Sequence, residues 1–410
     1  MRKIFIILIC LLIASPAFAG KKPKKSPLKK LSKELQYEWS VTQDEDQNYK
    51  KKKIFDNPVG EIITFESGDA VNAAQILDGS YNKIEKITVT GHLTYPPGDG
   101  PFPLLINAHS SGGPGEFLID GSVWWFQRTT HAFLDMGIAV LYLDNFSGRG
   151  CKDTWRDQSC ASVMGQIIDA FEAVKYLKNN HPKINTKKIG ITGYSRGGNV
   201  SFGIGEKRLS DVLGDGFEFA AAFGMSAECH FGLFENPIPN NTKMYVVHGE
   251  LDDYTLPGPC MDYAKKLKDA GADVKSHLVK GGYHSFHGSW VTEYDKRIMT
   301  FNSCPDWGGM TDEGHFSDAF NAYIAERVDD WDTIDDVKAA FKADPTAAFT
   351  KGGKESLMHK KKGCATYGAH DGGDHGWQGK GKPFIPMSQS NNVKELKSIF
   401  FPFFKEALLN

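Results

Sequence analysis

The stretch Ile189-Gly190-Ile191-Thr192-Gly193-Tyr194-Ser195-Arg196-Gly197-Gly198 decides the fold. Its first four residues predict a short buried strand, and the residues from Gly198 onward predict the start of a helix. Between them lies the pattern Gly-x-Ser-x-Gly, in which glycines relieve crowding in a tight turn that lifts the serine above a sheet. A helix that begins beneath the serine also favours negative charge developing there. The sequence therefore predicts that Ser195 is a nucleophile at a strand-to-helix turn.

Apolar strands alternate with amphipathic helices on both sides of this turn. The predicted strands lie at 87–95, 104–106, 138–143, 188–192, 244–247 and 274–279, and the predicted helices at 122–136, 167–177 and 260–269. Such alternation is typical of a parallel sheet that helices cover on both faces. We therefore predict an α/β fold with a mostly parallel central sheet, which binds its ligand at the carboxyl ends of the strands.

Two later segments depart from the alternation. Residues from about 300 to 385 are rich in glycine, aspartate, tryptophan and histidine, and they predict one helix, at 334–341. We interpret this segment as an insertion within a single domain, 56–410, ahead of the last helix. Residues 392–408 predict that closing helix, in which Pro402 introduces a bend or a break.

The general base is expected on the loop that follows the last predicted strand. Gly281 and Gly282 favour a shaped loop there, and His284 comes two residues after Gly282. An imidazole on this loop can reach Ser195 and accept its proton. His287 is the alternative base.

The acid that orients the base should follow the preceding strand. Asp252 comes after the strand at 244–247 and a tight turn that contains Gly249. A buried carboxylate here would fix the imidazole tautomer and stabilise the imidazolium. Asp253 and Glu250 are the alternatives. The chain order serine, aspartate, histidine is that of the α/β-hydrolases and differs from the orders in chymotrypsin and subtilisin.

Acyl transfer also requires two backbone N–H groups aimed at the developing oxyanion. One is expected from Arg196, the residue after the nucleophile. The second is expected from His109-Ser110-Ser111-Gly112-Gly113, which follows the strand at 104–106 and whose glycines permit close backbone approach. We expect Ser111 to be this donor, with Ser110 as the alternative.

With these features the chain resembles the dienelactone-hydrolase-like branch of the α/β-hydrolases. The matching stretches are Tyr95-Pro96-Pro97 with Phe102-Pro103, Asp144 to Gly150, the Ser195 turn, His248 to Pro257, and Tyr283 to Phe286. The resemblance implies a cofactor-free hydrolase with Ser195, Asp252 and His284 as its triad. Dienelactone hydrolases themselves use a cysteine nucleophile, so Ser195 argues for the broader, exported esterase-like relatives.

The resemblance implies cleavage of a carboxylic ester or lactone, in a small molecule or an oligomer, through an acyl-enzyme. Two other hypotheses are a peptidase of the prolyl-oligopeptidase type and a non-catalytic envelope protein that binds a ligand on the same fold. The insertion at 300–385 follows the His284 loop, so we expect it to border the site, where a lid is one role for it.

The first nineteen residues predict export. Arg2 and Lys3 precede an apolar run, and Ala17-Phe18-Ala19 is typical of a signal-peptide cleavage site, with the cut after Ala19. We expect a secreted or periplasmic protein without a transmembrane anchor. Residues 20–55 are rich in lysine and predict a basic linker, for which weak contact with an anionic envelope surface is the functional interpretation.

Seven cysteines are present, and all except Cys10 lie beyond the signal peptide. The remaining six are an even number, which in an oxidising compartment favours disulfides. The family resemblance implies the pairs Cys151–Cys160, Cys229–Cys260 and Cys304–Cys364.

Other features carry less. The formal net charge of −2 gives no field that would attract a nucleic acid. The run His370-Asp371-Gly372-Gly373-Asp374-His375 contains metal-ligand types, but it lacks regular spacing, and we expect neither a metal nor a cofactor. Arg149 either forms a salt bridge or reaches the mouth of the site.

Overall fold

The computed structural model describes residues 61–114, 124–154, 158–230, 232–288, 292–344, 347, 363–371 and 390–410. The predicted signal peptide, 1–19, and the basic segment, 20–55, lie outside this part of the chain.

Eight strands of the described chain form one sheet. They are β1 (Glu61–Ser67), β2 (Ile87–Thr94), β3 (Phe102–Ala108), β4 (Ala139–Asp144), β5 (Ile184–Tyr194), β6 (Ala221–Met225), β7 (Lys243–Gly249) and β8 (Val274–Val279). Their order across the sheet is β1-β2-β4-β3-β5-β6-β7-β8. β2 pairs antiparallel with β1 and β4, and every pair from β4 to β8 is parallel. The prediction of an α/β-hydrolase fold with a mostly parallel sheet is confirmed.

Helices cover both faces of this sheet. They are α1 (Ala73–Leu77), α2 (Trp124–Asp135), α3 (Val163–Asn180), α4 (Arg196–Gly203), α5 (Lys207–Leu213), α6 (Pro257–Asp269), α7 (Asp318–Ala325), α8 (Ile334–Ala343) and α9 (Asn391–Leu409). Buried side chains of α1 and α3 to α6 share one apolar core with the sheet. α2 and α9 contribute to a second core on the opposite face.

Phenylalanine rings dominate the second core. The Phe223 ring of β6 lies 4.8 Å from the Phe400 ring of α9, and the Phe133 ring of α2 lies 5.7 Å from the Phe404 ring. α9 continues through Pro402, so a break at this proline is wrong. A proline inside a helix costs about 3 kcal/mol, and burial of the surrounding phenylalanines offsets that cost.

The insertion has its own small core. β9 (Glu293–Thr300) and β10 (Thr366–Asp371) form an antiparallel pair. Beside them, α7 and α8 bury side chains that include Phe320, Ile324 and Val337, and Trp307 from the loop before α7 joins the same core. The predicted helix at 334–341 is therefore present as α8, but one helix was too little to predict for this segment.

The described part of the chain contains three disulfides, which join Cys151 to Cys160, Cys229 to Cys260, and Cys304 to Cys364. These are the pairs that the family resemblance implied. Disulfides persist mainly in oxidising compartments, so they favour an extracellular or periplasmic location. None of the described helices combines the length and the apolar character that crossing a membrane requires.

One buried histidine makes the fold sensitive to acid. His92 of β2 is 3% exposed, and neither ring nitrogen has a hydrogen-bond partner among the described residues. Burial lowers the pKa of His92 from 6.5 to about 4. Between pH 6.5 and 4, His92 is therefore protonated in the unfolded chain and neutral in the folded chain. The stability that depends on neutral His92 is complete above this pH and is lost as the pH falls toward 4.

We expect His92→Leu to flatten the pH dependence of the free energy of unfolding between pH 6.5 and 4. The slope should fall by up to about 1.4 kcal/mol per pH unit, the contribution of one proton. Urea unfolding at several pH values measures this slope, with His315→Leu, at an exposed histidine, as the control. Equal slopes in His92→Leu and wild type would contradict the prediction.

Candidate active site

Ser195 occupies a sharp turn between β5 and α4. Its backbone angles are φ 54° and ψ −119°, a region that residues with a side chain rarely adopt. Its N–H donates to the carbonyl oxygen of Met225 in β6 at 2.7 Å. The turn places the serine at the carboxyl edge of the sheet, as the strand-to-helix pattern predicts.

The glycines around Ser195 are required by space. A Cβ on Gly193 would lie 2.2 Å from the carbonyl oxygen of Gly197. A Cβ on Gly197 would lie 2.1 Å from the carbonyl oxygen of Ala108 in β3. Both contacts are with backbone, which cannot swing aside as a flexible side chain can. Any residue other than glycine at position 197 would therefore prevent the turn from packing this closely against β3.

The side chain of His284 lies between those of Ser195 and Asp252. Its Nε2 is 3.2 Å from Ser195 Oγ, and its Nδ1 is 2.9 Å from Asp252 Oδ2. All three residues are buried. A proton on Nδ1 donates to the carboxylate and leaves Nε2 free to accept the serine proton. We refer to these three residues as the candidate triad.

The alternative residues are engaged elsewhere. The ring of His287 packs 4.1 Å from the ring of Tyr194, and burial lowers the pKa of His287 to about 3. The Asp253 carboxylate pairs with His370 at 2.8 Å. Glu250 accepts the N–H of Gly281 at 2.9 Å. The structure thus brings together the first choices of the sequence analysis and places these three in other interactions.

Asp252 accepts several hydrogen bonds besides the one from His284. Its Oδ1 accepts the N–H groups of Tyr254 and Thr255, each at 3.0 Å, and its Oδ2 lies 3.1 Å from His248 Nε2. Burial alone would raise the pKa of this carboxyl, but His284 and His248 hold it below its usual range. Asp252 therefore stays ionised at neutral pH and fixes the proton of His284 on Nδ1.

Sequence reasoning missed two residues that support the candidate triad. His248 is buried at the end of β7 and donates through Nε2 to the carbonyl oxygen of Thr255 at 2.8 Å as well as facing Asp252. The ring of Tyr254 lies 4.3 Å from the ring of His284. The position of His248 four residues before the acid was the available signal for it. Nothing local in the sequence distinguishes Tyr254.

The loop after β3 supplies a candidate oxyanion donor. The carbonyl oxygen of Ser110 accepts from Gly113 N–H at 3.1 Å and from His109 Nδ1 at 2.8 Å. Because a trans peptide is planar, the N–H of Ser111 points the opposite way from that carbonyl. The N–H of Gly112 donates to Ser110 Oγ at 3.1 Å. Within the part of the chain that the structure describes, the Ser111 N–H has no acceptor.

The second candidate donor is Arg196, the first residue of α4, whose N–H has no acceptor within the helix. His109 helps to keep the facing loop in shape, since burial lowers its pKa to about 4 and leaves its ring neutral. Its Nε2 accepts the N–H of Asn145 at 3.3 Å, so the proton resides on Nδ1, which donates to Ser110. Ser111 and Arg196 thus offer the two backbone groups that the sequence analysis expected.

Arg149 is structural. Its side chain is 3% exposed and forms ion pairs with Asp69 at 3.2 Å and Asp169 at 2.7 Å. The salt-bridge interpretation is confirmed, and Arg149 is not at the mouth of the site.

The insertion borders the site by packing on two of its loops. The N–H of Phe301 donates to the carbonyl oxygen of Tyr254 at 3.0 Å, and the ring of Phe301 packs edge-on against the Tyr254 ring. His370 of β10 donates its backbone N–H to Asp253 at 2.8 Å, and its ring lies 4.9 Å from the ring of Tyr283. The strand pair β9–β10 therefore supports the loops that carry Asp252 and His284.

The metal hypothesis concerned residues 370–375. His370 is paired with Asp253, and residues 372–375 lie outside the described residues. In the described ranges there is no group of three or more side chains that could together hold a metal ion.

We expect Gly197→Ala to destabilise the protein by about 2–3 kcal/mol, because its Cβ would overlap the backbone of β3. Gly258→Ala is the matched control, since a Cβ at this position in α6 meets open space, and it should be neutral or stabilise by up to about 1 kcal/mol. Urea unfolding of both variants measures the difference. Equal stability of the two variants would contradict the close contact between Gly197 and β3.

Comparison with known proteins supports the sequence resemblance. Residues 122–299 match the model of the dienelactone hydrolase family. A search of the curated proteins found no match.

Several solved structures are similar at low identity. A putative dienelactone hydrolase from Klebsiella pneumoniae is 13% identical with a TM-score of 0.38, over 55% of this chain and 89% of that one. Esterase 2 of Thermogutta terrifontis, phosphorylated by paraoxon, is 14% identical with a TM-score of 0.40, over 57% and 86%. A putative dipeptidyl aminopeptidase IV from Bacteroides ovatus is 15% identical with a TM-score of 0.37, over 56% and 34%.

Ser195, Asp252 and His284 all lie within the matched segment, and the resemblance predicted from the sequence is confirmed. Over residues 122–299 this chain is similar to the dienelactone hydrolase family of α/β-hydrolases.

Proposed function

We propose that this protein is an exported serine hydrolase that cleaves a carboxylic ester or lactone through an acyl-enzyme. The observation that carries the proposal is the hydrogen-bonded series from Ser195 Oγ through His284 to Asp252, with separations of 3.2 and 2.9 Å. The disulfides support the export part of the proposal, in which a signal peptide is removed after Ala19.

The geometry supports the following reaction. Ser195 Oγ attacks the carbonyl carbon while His284 Nε2 accepts its proton, and the N–H groups of Ser111 and Arg196 donate to the oxyanion. His284 then gives this proton to the leaving alcohol, which leaves an acyl group on Ser195. Water then attacks the acyl carbon while His284 Nε2 accepts its proton. The bond from this carbon to Ser195 Oγ breaks, His284 returns the proton to Oγ, and the carboxylic acid leaves. Asp252 remains ionised throughout and stabilises the imidazolium.

Covalent labelling by a fluorophosphonate tests the proposal, since this probe reacts with activated serines. We expect wild type to label and Ser195→Ala to lose labelling completely. His284→Ala and Asp252→Asn should label at least about 100-fold more slowly, because the nucleophile loses its base or the base its orientation. Ser303→Ala, at an exposed serine of the insertion, is the control and should label as wild type does. A folded wild-type protein that does not label would contradict the proposal.

The bond that is cleaved is tested separately with p-nitrophenyl esters of increasing chain length, a lactone series and peptide p-nitroanilides. Turnover of esters or lactones is the expected result. Turnover of anilides alone would identify a peptidase instead, and labelling without turnover of any of them would favour the binding-protein hypothesis.

We also expect His248→Leu to lower kcat for an ester about tenfold, because Asp252 loses a buried hydrogen bond that helps to hold its carboxylate in place. His92→Leu is the matched control, since this histidine is also buried but lies on β2, away from Asp252. Steady-state kinetics at pH 7.5 give the ratio. Equal kcat in the two variants would contradict the role of His248.

A further inference from the structure

The guanidinium of Arg196 is buried beside the candidate active site and binds neutral acceptors. Nε donates to Gln166 Oε1 at 2.6 Å, and the other two nitrogens donate to Gln158 Oε1 and to the carbonyl oxygen of Ala161. Among the described residues Arg196 forms no ion pair. Three hydrogen bonds thus fix its side chain. They also restrict movement of the residue whose backbone N–H is the candidate oxyanion donor.

Gln158 connects this arginine to the other candidate donor. Its Nε2 donates to Ser111 Oγ at 3.1 Å, while its Oε1 accepts from Arg196. An arginine can only donate, so the orientation of the Gln158 amide is determined: its oxygen must face Arg196 and its nitrogen must face Ser111. One side chain therefore bridges the two residues whose N–H groups would hold the oxyanion.

The segment between Cys151 and Cys160, which carries Gln158, also contacts Ser111 through a second residue. The Thr154 N–H donates to the carbonyl oxygen of Ser111 at 2.7 Å. Both the hydroxyl and the carbonyl of Ser111 are thus bound by this segment, which leaves its N–H for a ligand. The disulfide between Cys151 and Cys160 joins the two ends of the segment.

The fit between this segment and the donor loop is tight. A Cβ added to Gly113 would lie 2.4 Å from the carbonyl oxygen of Lys152, so backbone meets backbone there. Oxyanion donors act only within a narrow distance from the developing charge, about 2.7–3.1 Å. A donor on a free loop would drift out of this range, and a bridge between the two donor residues prevents such drift.

We propose that Gln158 is a positioning residue, which holds the Ser111 loop against Arg196 and so sets the separation of the two oxyanion donors. The Cys151–Cys160 disulfide keeps Gln158 in place for this task. The inference rests on the proposed hydrolase function and adds to it a side chain that never touches the substrate.

Gln158→Met tests the bridge, because methionine keeps the length of the side chain and loses both hydrogen bonds. We expect kcat for a p-nitrophenyl ester to fall about 10- to 100-fold, below the loss of about 10²–10³ for removal of a whole donor. KM should stay within about twofold, since the oxyanion forms only after binding. Fluorophosphonate labelling should slow in parallel, because its phosphorus–oxygen group uses the same two donors.

A conservative variant and a neighbour separate positioning from general stability. Gln158→Glu should recover most of the rate, because its carboxylate accepts both from Arg196 and from the Ser111 hydroxyl. Lys152→Met is the control, at an exposed side chain of the same disulfide-closed segment, and should match wild type. A Cys151→Ala/Cys160→Ala double variant should reproduce the kcat defect of Gln158→Met.

Unchanged kcat in Gln158→Met would overturn the inference. So would a defect that Gln158→Glu does not recover, or one that disappears after correction for the folded fraction measured by urea unfolding. An unlabelled, inactive wild type would overturn the proposed function together with the inference. A wild type that labels beside an unaffected Gln158→Met variant would overturn this inference alone.

Discussion

Three backbone segments meet around Ser195 with no space for side chains between them. Gly193 touches Gly197 across the turn, and Gly197 touches the end of β3 at Ala108. This close approach holds Ser195 at φ 54°, a conformation that costs about 1–3 kcal/mol and persists only where the surroundings enforce it. The parallel sheet supplies those surroundings, because β3, β5 and β6 bring their carboxyl ends to one edge. The loops that carry Ser111, Asp252 and His284 all begin at that edge, so the edge determines where they lie.

The surroundings of each buried group then determine whether it is charged or neutral. Asp252 keeps its charge because His284, His248 and two backbone N–H groups compensate its burial. His109 stays neutral for the opposite reason, since burial lowers its pKa by more than the Asp144 carboxylate and the Ser110 hydrogen bond raise it. The insertion contributes packing contacts. Through Phe301 and His370 it packs on the loops that carry Asp252 and His284, so it supports the candidate site.

Much of the central fold and the candidate triad could be predicted because their signals are local. The turn at Ser195 needs glycine at fixed positions, and buried parallel strands appear in the sequence as apolar runs. Asp252 and His284 each follow the end of such a strand. β6 was missed because Ala221-Ala222-Phe223-Gly224-Met225 has little β propensity and becomes a strand through burial between β5 and β7. Gln158 and His248 were missed as supporting residues because their importance depends on contacts with segments distant in sequence. The core of the insertion likewise depends on tertiary contacts and on the Cys304–Cys364 disulfide.

Covalent catalysis at Ser195 is the central proposal, and trapping the acyl-enzyme intermediate tests it most directly. Wild-type protein turning over an activated p-nitrophenyl ester would be quenched in acid within milliseconds to seconds and digested, and its peptides would be weighed by mass spectrometry. We expect the mass of the acyl group on the peptide that contains Ser195, and no such added mass in the His284→Ala variant. Acyl groups on another residue, or rapid turnover with every Ser195 peptide unmodified at all quench times, would contradict it.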